Sequence, residues 1–136
     1  MNWKNIVITI LALTAVSKLL SVLCPTELLH LIDPVFKVPI LYVVAMASIM
    51  EIILCVCLAF FFDYEKSLWS IFAFALAVLT YRALANLSGV HFCPCMGNIA
   101  DWWPWLGRHE SAIMTTVAIW MLLTSSLQII SKRKAA

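Results

Sequence analysis

Long apolar runs alternate with short polar segments along this chain. Four runs stand out: Asn5–Leu23, Val38–Phe62, Ser67–Leu87 and Ser111–Ser131. Each holds roughly 20 residues or a little more, the length a helix needs to cross about 30 Å of hydrocarbon. Ala, Ser, Thr and Met are spread through them, a composition that lets helices approach closely in lipid. No ten-residue alternation of the transmembrane-barrel kind is present. The pattern predicts an all-α protein, an integral membrane four-helix transmembrane bundle, forming a single domain over residues 1–136. Segments 24–37 and 88–110 become loops at one end. A tight Asp63–Lys66 turn joins the middle two helices at the other.

Composition sharpens the picture. Of 136 residues, 64% are hydrophobic and 12% charged, against about half and a quarter in soluble domains. A chain this short has no core large enough to hide so much apolar sequence from water. That argues against a soluble enzyme and a disordered regulator. The formal net charge of +2 is too small for a nucleic-acid footprint. Three glycines leave little material for a phosphate-cradling loop. The partner that composition demands is the lipid bilayer.

Charge bias suggests an orientation. Lys132, Arg133 and Lys134 mark the C-terminal tail as cytoplasmic. Four spans then bring the N-terminus, with Lys4, to the same side. The expected location is a bacterial inner membrane, with both termini cytoplasmic and the segments 24–37 and 88–110 periplasmic. The first run reads as a retained helix. Leu23 is not the small residue that signal cleavage before Cys24 requires, and Lys18 interrupts the apolar region.

The loops carry local signals. Pro25 ends the first helix and opens a short helical stretch to Leu31, and Asp33-Pro34 then turns the chain. Trp102, Trp103 and Trp105 suit a membrane–water interface. A platform for a quinone or a partner is their alternative use.

Five cysteines bring in chemistry. Cys55 and Cys57 lie two apart on one helix, about 200° around it, and read as packing residues. Cys24, Cys93 and Cys95 all fall at the loop end, in a compartment that permits disulfides. Cys93-Pro94-Cys95 sets two sulfurs on either side of a proline, and Gly97 follows. A disulfide closed over so short a loop is strained and therefore reducible. Three readings stay open: a redox-active pair, a static bridge from Cys24 to Cys93 or Cys95, and a metal site. For the last, His91, Cys93, Cys95 and Met96 form a soft donor set suited to Cu(I), held or relayed without an ATPase domain. A non-catalytic membrane adaptor is a further alternative.

Three runs contain a lone charge, Lys18, Glu51 or Arg82. Each is costly in lipid and is expected to point inward. Lys18 and Arg82 lie about 9 Å below the loop end and Glu51 roughly 20 Å below it. Long basic side chains reaching down to the acid can form one buried network beneath the cysteines; whether Tyr42, Tyr81 and Asn86 join it the sequence does not decide. Its excess positive charge would favour a thiolate above it. Glu51 and Cys55 share a helix face. Of the three histidines, only His91 sits beside the cysteine pair.

In order, Ser17-Lys18, Glu51, Arg82 and then Cys-Pro-Cys-Met-Gly resemble the MauE/DoxX-like family of redox-associated membrane proteins. The resemblance covers about Ile6 to Asn98. It implies a four-helix inner-membrane protein that handles disulfides for exported proteins, as the methylamine-utilisation member does for a disulfide-rich dehydrogenase subunit. By the same resemblance Cys93 and Cys95 match the family's cysteine pair, and Lys18, Glu51 and Arg82 its embedded charges. Pro94, Met96 and Cys24 depart from its pattern. The implied activity is that of a membrane thiol-disulfide oxidoreductase. Its expected partner is a periplasmic thioredoxin-fold protein or a Cys-rich exported client. A membrane quinone is the candidate electron acceptor, as in other four-helix disulfide-generating membrane proteins.

Overall fold

The computed structural model describes residues 3–25, 27–88 and 104–135. They form α1 (Trp3–Leu23), a 3-10 turn (Glu27–His30), α2 (Ile40–Val56) continued by a π-helical turn (Cys57–Phe61), α3 (Tyr64–Leu87) and α4 (Pro104–Ala135). All four helices are long and apolar enough to cross a membrane. The chain is an all-α, multi-pass transmembrane bundle, as the apolar runs predict.

The helix limits differ from the runs for local reasons. Val38 precedes Pro39, which disfavours a helical backbone at that position, and α2 starts at Ile40, with Pro39 at its cap. The expected four-residue turn contracts to Phe62 and Asp63. Asp63 is extended (φ −61°, ψ 164°) and its carbonyl accepts from both the backbone N–H and the hydroxyl of Ser67. The last helix gains a turn and a half or more over expectation, starting at Pro104, where a missing N–H costs nothing. At the end of α2 the Phe62 N–H reaches back five residues to the Cys57 carbonyl at 2.8 Å. The periodic apolar pattern did not signal this π turn.

Side-chain contacts fix an up-down-up-down arrangement. At the turn end, Lys4 Nζ donates to the Phe62 carbonyl at 3.1 Å, and Tyr64 donates to Gln128. At the opposite end, the loop end, Tyr81 donates to Asp33 and Arg82 to Ser111. Closest backbone approach is between α1 and α2 and between α3 and α4, so the bundle is two tight helical hairpins side by side.

Buried positions recur every three or four residues: Val7, Leu11, Thr14, Lys18 and Ser21 on α1; Ile40, Val44, Ser48, Glu51 and Leu58 along α2 and its π turn; Leu68, Ile71, Ala75, Arg82 and Ala85 on α3. That stripe is the inward face of each helix. Its character changes along the bundle axis. In the turn-end half, Val7, Leu11, Leu58, Ile71, Ala75 and Met121 form one apolar cluster drawn from every helix. In the loop-end half the stripe is mostly polar.

Candidate functional site

The polar half is built on small residues that bring α1 and α2 together. Ser48 is fully buried and donates to the Ala15 carbonyl at 3.1 Å. Ser21 donates to the Ser17 carbonyl of its own helix. Between them Lys18 reaches down from α1 and forms an ion pair with Glu51 Oε1. Thr14 Oγ1 donates to the other carboxylate oxygen at 3.2 Å. Lys18 and Glu51 are 7% and 3% exposed, so the pair is dry. Each charge is compensated by the other across the helix seam, as buried ions require. One turn below Glu51, the half-buried Cys55 directs its thiol at the Ile8 carbonyl, 3.7 Å away. It packs against the apolar cluster, in keeping with a packing role.

Arg82 does not join that pair, which corrects the expected three-charge network. Its Nη2 donates to Ser111 Oγ on α4 at 3.0 Å, and the buried Glu110 attracts it electrostatically. The reason is pairing: α3 packs on α4, so its arginine meets the α4 seam. The expected excess of positive charge beside Glu51 goes with the network, because Arg82 turns to the α4 seam, where Ser111 accepts from its Nη2 and Glu110 attracts it. Sequence reasoning missed Glu110 and Ser111 because it left them at the edge of a loop. Their signal is Pro104: with a helix starting there, Glu110 and Ser111 lie about 10 Å in, close to the depth of Arg82.

A second feature was legible only in part. Asp33 turns the chain as Asp33-Pro34 predicts, and its Oδ1 accepts from the N–H groups of Val35 (2.9 Å) and Phe36 (2.8 Å). Its Oδ2 accepts from the Tyr81 hydroxyl on α3. The Phe36 ring stacks on Tyr81, centroids 5.7 Å apart. Lys37 adopts a left-handed backbone, φ 59°, and its N–H bonds the Asp33 carbonyl at 3.0 Å. Leu29, Ile40 and Val44 close the apolar contact beneath. The segment following Cys24 is thereby folded down onto the bundle. Tyr81 is used here, not beside Glu51, while Tyr42 and Asn86 are exposed.

Cys24 is exposed at the bend that ends α1, at the loop end. Cys93, Cys95, His91 and Met96, with Trp102 and Trp103, lie outside the described residues. Trp105 is exposed in the first turn of α4 and packs against His109, ring centroids 5.3 Å apart. Among the described residues no three His, Cys, Asp or Glu side chains converge on a common point.

No protein family, curated protein or solved structure matches this chain.

Proposed function

We propose that this chain is a bacterial inner-membrane thiol–disulfide redox protein of the MauE/DoxX-like type, working through Cys93 and Cys95 at the periplasmic face. A thiolate of a thioredoxin-fold partner or exported client attacks one sulfur of the Cys93–Cys95 disulfide. The S–S bond breaks, a mixed disulfide forms, and the other cysteine leaves as thiolate. A second thiolate, from the client itself, then attacks the mixed disulfide. The client departs oxidised and the pair is left as dithiol. Reoxidation passes two electrons and two protons to a quinone, giving quinol. Cys24 offers a resolving thiol at the same end.

The observation that carries this reading is the Cys-Pro-Cys sequence in the connection between α3 and α4. That connection leaves the bundle at the end where Cys24 emerges and where the interior is polar. Four membrane-capable helices with both chain ends on one side accord with the proposed topology.

Alkylation of native membranes followed by mass spectrometry tests it. The expected map shows a Cys93–Cys95 or Cys24-linked disulfide that mild reductant removes. Thiols that stay free under oxidising conditions would overturn the reading. The donor set His91, Cys93, Cys95 and Met96 supports a second reading, Cu(I) holding or relay. It predicts about one Cu(I) per chain, lost in Cys95→Ser. A non-catalytic adaptor predicts full cellular activity in Cys93→Ala and Cys95→Ala.

A further inference from the structure

The two hairpins are joined differently at their two ends. At the turn end they share the apolar cluster, to which every helix contributes, and burial holds such a layer together. At the loop end the interior is polar, and its charges are satisfied without crossing between hairpins. Lys18 pairs with Glu51 inside the first hairpin, and Arg82 bonds Ser111 inside the second. Leu29, Ile40 and Val44 close on their own hairpin too, against Val22 and Leu41. Parting the hairpins at this end therefore breaks neither charge contact, and it returns to buried ions the water that burial removed.

What crosses the gap is the loop after α1. Its arms are paired, the Asp33 N–H on the Val38 carbonyl and the Ile40 N–H on the Leu31 carbonyl, each at 2.8 Å, so the loop is fastened to the start of α2. It grips α3 at Tyr81, whose hydroxyl donates to Asp33 and whose ring stacks on Phe36. Asp33 is 1% exposed, and its other oxygen is held by the turn it makes. The carboxylate is thus fixed on one hairpin, and the contact that can let go is the one to Tyr81 on the other.

We propose that the Tyr81–Asp33 contact is the latch of a gate at the loop end. When it releases, the hairpins pivot about the apolar cluster, and water enters between them as far as Lys18 and Glu51. When it closes, the ion pair is dry. The device goes beyond the thiol-redox reading and does not depend on it.

The test uses the full chain in detergent micelles, with its cysteines in place. Keto amino acids introduced at the exposed positions Tyr42 and Leu87 carry spin labels on the two hairpins at the loop end, and Phe60 and Leu127 carry them at the turn end. Double electron–electron resonance is expected to show a longer loop-end distance in Tyr81→Phe. The ratio of open to closed chains should rise about tenfold or more, from loss of a hydrogen bond to a charged group, while the turn-end distance stays the same. A water-soluble carbodiimide should modify Glu51 faster by a similar factor, read by peptide mass spectrometry. Should Tyr81→Phe fail to fold, Phe36→Ala removes the ring stack alone and should move both readouts in the same direction. An unchanged loop-end distance overturns the latch. Lengthening at both ends together reports general loosening and overturns the pivot. Lengthening with Glu51 no more reactive than before overturns the entry of water.

Discussion

The Lys18–Glu51 pair shows what single residues do in this protein. Removing one member leaves the other charge buried and alone, which costs about 3–5 kcal/mol in folded interiors. Lys18→Met is therefore expected to lower the thermal midpoint in micelles sharply. The double change Lys18→Met/Glu51→Met should recover most of the loss, because a well-packed apolar pair replaces the ions without stranding either. Far-UV circular dichroism melts of the two single variants and the double variant check this. Thr14→Val should cost much less, about 0.6 kcal/mol, the usual worth of a hydrogen bond between membrane helices. The pair was legible in the sequence, since a lone acid and a lone base inside apolar runs must find something. The partner of Arg82 was not. Which charge meets which depends on helix pairing, and residue spacing along one helix carries no record of its neighbours.

At the scale of elements, the four apolar runs announced four helices, and proline positions explain where the limits moved. The seam between α1 and α2 is set by Ser48, which is small and donates to the Ala15 carbonyl. Ser48→Ala removes only the hydrogen bond and should cost about 0.6 kcal/mol. Ser48→Leu also forces the helices apart, at about 1–3 kcal/mol. A much larger second effect, read in the same melts, identifies close approach as the contribution of that position. The loop after Cys24 makes a different prediction. Asp33→Ala strands the N–H groups of Val35 and Phe36 and the Tyr81 hydroxyl together, so amides between Leu31 and Ile40 should exchange hydrogen faster. Tyr81→Phe, which leaves the local turn intact, should accelerate them less. Equal protection in Asp33→Ala and the unaltered chain would show that the clasp does not hold the loop. Asp33-Pro34 disclosed the turn, but the tie to α3 spans 48 positions in sequence and leaves no local trace.

Taken whole, the bundle is two hairpins with an interior divided along its length, ionic toward the loops and apolar toward the Phe62–Asp63 turn. In the proposed orientation the loops face the periplasm. A membrane-impermeant maleimide added to intact cells should then label Cys24 and leave Cys57 untouched. Labelling of Cys57 alone would invert the molecule. The division has an electrical consequence. Val7, Leu11, Leu58, Ile71 and Met121 plug the bundle with an apolar layer of low dielectric constant, against which the Cys55 thiol packs. A transmembrane voltage acts on an unpaired charge crossing such an interior with about 2.3 kcal/mol per 100 mV. Lys18 and Glu51 are dry as well, but their opposite charges touch, so the field pulls on them in opposing directions and exerts almost no net force on the pair.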